Sequence, residues 1–118
     1  MLKVKDEEEA IIKAVNGLLK EQEQSIRDFL QGAVYCWCKN RKEEWFAARD
    51  LLGGENYHWQ GTPMFALYEK SHDEEQAGKD AGWLLKSVIK EDKRTFKTKK
   101  EGLVRQYCWN GEEQNDIK

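Results

Sequence analysis

Apolar residues recur at helical spacing along most of the chain and alternate strictly only near its end. One apolar residue every three or four positions indicates an amphipathic helix, and alternation indicates a strand. The pattern predicts helices over 6–20, 25–40, 47–52, 62–70 and 71–92, a very short strand at 45–46, and strands over 94–98 and 103–109. One long bent helix is the alternative to the first two helices.

Residues that cap helices support several of these starts. Thr62 precedes Pro63, which suits the first position of a helix. Ser71 has a glutamate three residues later, the spacing of a capping box. The polar run "KEQEQ" at 20–24 interrupts the first apolar stripe, which predicts a new start at Ser25.

The helix predicted over 71–92 has two different faces. One side is apolar and carries Ala77, Ala81, Leu84, Leu85 and Val88. The opposite side places three lysines around a tryptophan within a narrow arc: Lys79, Trp83, Lys86 and Lys90. A tryptophan in a polar arc is costly to leave in water, so Trp83 packs under another segment or belongs to a contact surface.

The segment "RTFKTKKEGLVRQYCW" predicts a β-hairpin with its turn around residues 99–102. Lys97 and Lys99 share one strand face. Arg105 falls on the same face as apolar neighbours two and four positions away, which predicts that it is partly tucked against the sheet. Residues 110–118 offer no core residue and are predicted to form a flexible tail.

Length and composition favour one folded domain with a modest core. The chain has 118 residues, of which 39% are hydrophobic, and it contains five tryptophans, so it is not a disordered chain although 36% of it is charged. The longest uncharged run, residues 56–68, is too short to span a bilayer. The N-terminal residues lack the apolar region of a signal peptide, so we expect a cytoplasmic protein.

The three cysteines do not form an obvious metal site. Cys36 and Cys38 lie two positions apart in a predicted helix, about 200° of rotation, so their sulfurs point to opposite sides. His58 and His72 have no ligand-like spacing to either cysteine. We therefore expect three small buried thiols and no metal, with a zinc site through Cys108 and a histidine as the alternative.

The sequence lacks the motifs of the common catalytic sites. It contains no phosphate-binding glycine loop, no H-E-x-x-H and no C-x-x-C. Its carboxylate clusters at 7–9 and 73–75 lie at predicted helix starts, where helix electrostatics accounts for them. We expect no enzymatic activity, no cofactor and no small-molecule substrate.

Positive charge is concentrated in residues 86–105, which contain eight Lys or Arg against three Asp or Glu in a chain of net charge −2. A local cationic surface is what phosphate binding requires. The candidate DNA-contacting residues are Lys79, Trp83, Lys86, Lys90, Lys93, Arg94, Lys97, Lys99 and Lys100. The alternative is that these lysines only keep a wet surface soluble and discourage pairing at a sheet edge.

The element order, with "GTPMFALYEK", "AGWLLKSVIKEDKRTF" and "GLVRQYCW", resembles a winged helix-turn-helix domain over Ser25–Trp109. The resemblance implies a mainly α fold with a small β-hairpin wing, extended here by an N-terminal helix over 1–24 and a tail over 110–118. It also implies that one helix enters the major groove of double-stranded DNA while the wing lies along the backbone. Either 62–70 or 71–92 is this recognition helix, and we favour the second because it carries the lysines and leads into the hairpin.

The resemblance implies a non-enzymatic DNA-binding protein, in transcription regulation or as a replication accessory of a phage or mobile element. The competing hypothesis is a protein–protein interaction module that uses the Trp83 face or the N-terminal helix. That helix either folds back or pairs with its copy in a homodimer. The exposure of Trp83 discriminates between the hypotheses, because internal packing would cover part of the basic stripe.

Overall fold

The computed structural model describes residues 12–54, 58–102 and 104–113, with residues 112 and 113 by their backbone alone. This part of the chain contains four helices: α1 at Lys20–Asn40, α2 at Ala48–Leu51, α3 at Phe65–Ser71 and α4 at Glu74–Glu91. Strands β1 (Arg94–Glu101) and β2 (Val104–Glu113) follow and form an antiparallel hairpin. The described chain is therefore mainly helical with one hairpin, which confirms the coarse fold class predicted from the hydrophobic pattern.

The N-terminal prediction is wrong where the structure tests it. Residues 12–19 contain no helix, and α1 begins at Lys20 instead of Ser25. Gly17 adopts φ +91°, which a right-handed helix does not contain, and the Leu19 N–H donates to Gln22 Oε1 at 2.8 Å. The boundary placed between residues 24 and 25 therefore falls inside α1, and the predicted helix before residue 12 lies outside the described residues.

The non-helical segment 12–19 packs onto the domain. Val15 and Leu18 contact the hydrophobic core. Gly17 lies close to α3, because a Cβ at this position would come within 3.1 Å of Lys70 Cδ. This packing favours the interpretation in which the N-terminal region folds back, while a homodimer formed through the N-terminal helix stays a prediction.

Helix α4 is the central element of the core. α1 packs one buried residue per turn towards it: Ile26, Leu30 and Val34. α2 and α3 also contact α4, whose buried residues are Ala77, Asp80, Ala81, Leu84, Leu85, Lys86, Val88 and Ile89. Each large apolar side chain that is fully buried contributes about 1.5–3 kcal/mol. Among the described helices, none has the length and apolarity needed to cross a bilayer.

The start of α4 differs from the prediction by about a turn. Ser71 does not cap this helix but ends α3. His72 then takes a left-handed conformation at φ +54°, and Asp73 is the cap. The Asp73 Oδ1 accepts hydrogen bonds from the N–H groups of Glu75 and Gln76 at 2.9 and 3.2 Å. α3 and α4 are thus joined by a tight two-residue turn.

A third strand, which consists of Phe46 alone, pairs with the hairpin. Phe46 and Tyr107 exchange two backbone hydrogen bonds of 2.8 Å, which confirms the very short strand predicted at 45–46. β2 therefore lies between β1 and this segment. Its inner side is filled by buried aromatic residues: Phe46, Phe96 and Tyr107.

β2 is longer than the alternating pattern predicts. It continues to Glu113, so residues 110–113, predicted as part of a flexible tail, belong to the strand. Gly111 permits this at φ +90°, with the Lys42 side chain close by. Residues 114–118 of the predicted tail lie outside the described residues.

Candidate nucleic-acid interface

The lysine stripe predicted on α4 is only partly exposed. Lys79 and Lys90 are exposed, as expected for residues opposite the core. Lys86, predicted to contact DNA, is instead buried with 6% of its surface exposed. Its Nζ lies 5.3 Å from the centroid of the Trp83 ring, in a cation–π contact. The structure therefore removes Lys86 from the set of residues that can meet a phosphate.

Trp83 is half-buried, and two lysine ammonium groups lie near its ring. Lys13 Nζ is 5.5 Å from the centroid of the Trp83 ring, and Lys86 Nζ lies at a similar distance. Trp83 is thus partly covered by two lysine side chains, and the burial of Lys86 beside it narrows the basic stripe.

The beginning of α4 is acidic. Asp73, Glu74 and Glu75 form its cap and first turn, and all three are exposed. These carboxylates suit the positive end of the helix dipole but would repel a phosphate backbone. Most of the circumference of α4 is also occupied by buried residues. Because of this burial and its acidic first turn, α4 is a poor element to enter a DNA groove.

Arg94 belongs to a buried ion pair and does not face the solvent. Its Nη1 donates to both carboxylate oxygens of Asp92, at 2.9 and 2.7 Å. Gln31 donates to the same carboxylate at 2.8 Å, and the Arg94 guanidinium lies 4.0 Å from the centroid of the Tyr35 ring. The prediction that Arg94 contacts DNA is therefore wrong. Arg94 and Asp92 instead have a structural role, in which they hold the start of β1 against α1.

The remaining basic candidates lie on or beside the hairpin. Lys93, Lys97 and Lys100 are exposed, and 41% of the Lys99 side chain is exposed. Lys97 and Lys99 share one face, as predicted. Lys100 lies opposite Arg105 on the other face.

Arg105 is half-buried on the inner side of the hairpin. Its Nη1 donates to Thr98 Oγ1 at 3.1 Å. This confirms the prediction that Arg105 is partly tucked against the sheet. The cations that face the solvent at the hairpin are therefore lysines.

Trp45, which was not among the residues predicted to contact DNA, lies next to Lys97 and Lys99. Because side chains alternate along a strand, Trp45 points away from the inner side that Phe46 occupies. The Trp45 ring centroid lies 4.3 Å from Lys99 Nζ and 5.9 Å from Lys97 Nζ. The outer hairpin face, defined as Trp45, Lys97 and Lys99, combines an aromatic ring with two cations.

The electrostatics of this face include the carboxylate of Glu101. Glu101 Oε2 lies 3.8 Å from Lys99 Nζ, and the side chains of Glu101 and Lys99 are 64% and 41% exposed. An exposed pair of this kind contributes at most about 1 kcal/mol, so a phosphate can compete for the lysine. The outer hairpin face is therefore available to an anionic ligand.

The cysteines are not arranged as a metal site. Cys36 is exposed while Cys38 and Cys108 are buried, so the expectation of three buried thiols is wrong for Cys36. Its position opposite Cys38 follows the helical rotation predicted from the sequence. No group of three or more potential metal-ligating side chains occurs among residues 12–54, 58–102 and 104–113.

Burial makes two of the thiols poorly reactive. It raises the pKa of Cys38 to about 11 and also raises the pKa of Cys108. The thiolate is the reactive form, and a raised pKa leaves less of it at a given pH. At about pH 8, we expect iodoacetamide to modify Cys36 at least about tenfold faster than the other two cysteines.

Mass spectrometry of the native protein checks this expectation. A single added group on native protein, three in urea and almost none on a native Cys36→Ser variant would support the assignment. Rapid modification of Cys38 or Cys108 in the native protein would contradict the burial described here.

Comparisons of the chain with protein-family models, with curated proteins and with solved structures find no match. The resemblance to a winged-helix domain therefore rests on the element order and hairpin arrangement of this chain alone.

Proposed function

We propose that this chain is a non-enzymatic, winged-helix-like domain that binds double-stranded DNA through its hairpin. The observation that carries the proposal is the outer hairpin face, where Lys97 and Lys99 flank Trp45 on the side of the sheet opposite Phe96 and Tyr107. Lys100, at the end of the same strand, adds a third exposed cation. These residues would contact backbone phosphates.

The order and pairing of the elements support the winged-helix part of the proposal. A long helix precedes a one-residue strand, further helices follow, and the hairpin comes last. The one-residue strand pairs with β2, and α3 and α4 are joined by a tight turn. A role in transcription regulation, or in replication of a phage or mobile element, would follow from the resemblance.

The positions of the exposed lysines change which element would contact DNA. α4 offers only Lys79 and Lys90 beyond its acidic first turn, so the hairpin and not the helix is the main contact in this proposal. Contacts to phosphates fix position and affinity but carry little sequence information. We therefore expect binding that depends strongly on salt and only weakly on DNA sequence.

Replacing Lys97, Lys99 and Lys100 with Ala should weaken the salt dependence of DNA binding. Each lost phosphate contact lowers the slope of log K against log salt by about 0.9, so three lost contacts flatten the slope by roughly 2.7. Fluorescence anisotropy of a labelled duplex of random sequence, titrated between about 50 and 200 mM salt, measures the slope.

A matched control variant removes the same charge elsewhere. Lys79, Lys90 and Lys93 are also exposed lysines, and their replacement with Ala should leave most of the slope in place. Glu101→Gln, which frees Lys99 from its acidic neighbour, should strengthen binding modestly. Absence of measurable wild-type binding at low salt would contradict the proposal.

Protein binding is the second candidate function, and exposed aromatic side chains on α1 support it. Phe29 and Tyr35 on this helix keep 38% and 58% of their surface exposed. Exposed aromatic side chains are enriched in protein interfaces. This candidate places the contact on α1, whereas the proposed function places it on the hairpin.

A further inference from the structure

The Trp45 ring lies close to Lys97 and Lys99, the residues proposed to contact phosphates, and it can make a different kind of contact with DNA. It is half-buried, so part of the indole faces the solvent. Lys99 Nζ lies 4.3 Å from the ring centroid and Lys97 Nζ lies 5.9 Å from it, within the range of cation–π contacts. The lysines are thus held over an aromatic surface.

An unpaired nucleobase is a stronger partner for this ring than the lysines are. Stacking of a base on an exposed aromatic side chain is worth more than an exposed cation–π contact. A base can therefore displace the flexible lysine chains from the ring. The displaced ammonium groups then lie beside the phosphates of the same strand, so the exchange replaces two cation–π contacts with one stacking contact and two phosphate contacts.

Paired bases cannot use this surface, because their faces are already stacked inside the duplex. Lys97 and Lys99 are cations, which complement the negative charge of the strand that carries the base. Charge and stacking together define the occupant as a base in a single-stranded segment of nucleic acid.

We infer that Trp45 holds one unpaired base while Lys97 and Lys99 contact the phosphates beside it, so that the preferred ligand is duplex DNA with a single-stranded extension. The inference rests on the proposed function and deepens it, because it names the structural class of DNA. Phosphate contacts hold any duplex, and the ring adds affinity only where a base is free.

The test compares three forms of one labelled duplex with the full-length protein at fixed low salt. The forms are a blunt duplex, the same duplex with an extension of about five thymidines, and the same extension made of abasic sites. We expect the thymidine extension to bind roughly tenfold more tightly than the blunt duplex. The abasic extension has the same phosphates, so its loss of most of this gain would show that the bases are required.

Variants at residue 45 then test whether the tighter binding of the extended duplex depends on the Trp45 ring. Trp45→Ala should remove the advantage of the thymidine extension, so that this variant binds the extended and the blunt duplex with equal affinity. Trp45→Phe keeps an aromatic surface and should retain part of the advantage. The abasic comparison uses the wild-type protein, so the inference stays testable even if a variant fails to fold.

The outcomes separate the two levels of the proposal. Equal wild-type affinity for the blunt and extended duplexes, an advantage that survives in the abasic form, or one that survives in folded Trp45→Ala would each overturn the inference. In all three cases binding of the blunt duplex would still support the proposed function. If none of the three forms binds at low salt, both fail together.

Discussion

Replacing Phe46 with Ala should lower the free energy of unfolding by about 3–5 kcal/mol. Phe46 is fully buried, and its ring centroid lies 5.5 Å from that of Trp37, 6.2 Å from that of Phe96 and 6.0 Å from that of Tyr107. The substitution leaves a cavity where the hairpin meets α1, because these large rings cannot collapse to fill it. Urea denaturation followed by circular dichroism measures the loss.

A second phenylalanine provides the control. Phe29 on α1 keeps 38% of its surface exposed, so Phe29→Ala should change stability by no more than about 0.5–1 kcal/mol. A loss below about 1.5 kcal/mol for Phe46→Ala would contradict its position in the core. The result also bears on the candidate site, since Phe46 anchors the segment that carries Trp45.

Replacing Asp92 with Ala should destabilise the protein by a similar amount, about 3–5 kcal/mol. Asp92 and Arg94 are 6% and 8% exposed, and the carboxylate accepts hydrogen bonds from the Arg94 guanidinium, the Arg94 backbone N–H and Gln31. Without Asp92 the guanidinium keeps its charge in a buried position and loses its main counter-charge. Urea denaturation again gives the change in unfolding free energy.

The double variant distinguishes a buried charge from a general packing defect. Adding Arg94→Leu to Asp92→Ala removes the charge, so we expect it to recover a large part of the lost stability. Glu91→Ala is the matched control, because Glu91 pairs with Arg27 at 2.6 Å but keeps 69% of its side chain exposed, and it should cost less than about 1 kcal/mol. Equal losses for Asp92→Ala and Glu91→Ala would contradict the buried ion pair.

The features predicted correctly from the sequence are those that depend on neighbouring residues. The buried side of α4, with Ala77, Ala81, Leu84, Leu85 and Val88, and the alternation along the hairpin both follow from the period of one element. The start of α4 was misplaced because Ser71 and Asp73 both have capping side chains, and the left-handed turn at His72 selects Asp73.

The charged residues were harder to place, because burial of a charge depends on distant partners. Arg94 pairs with Asp92, two residues away, but it also contacts Tyr35 on α1, some sixty residues earlier in the chain, and Gln31 on α1 donates to Asp92. Lys86 was assigned to a wet face because its helical angle is close to that of Lys79. Its burial beside Trp83 depends on packing that periodicity does not contain.

Trp45 was missed for a related reason. The strand at 45–46 was predicted, and alternation already implied that one of its two aromatic residues faces outward. What the sequence did not provide was the pairing partner of that strand. Only the pairing of Phe46 with Tyr107 in β2 places Trp45 next to Lys97 and Lys99.

The central claim is that the outer hairpin face is the surface that binds nucleic acid. A ¹H–¹⁵N correlation spectrum recorded during addition of a blunt duplex at low salt tests it most directly, because it locates the contact without any substitution. We predict that the largest shifts fall on the hairpin around Lys97 and Lys99 and on the Trp45 indole N–H. Shifts confined to α1 around Phe29 and Tyr35, or no shifts at low salt, would contradict the claim.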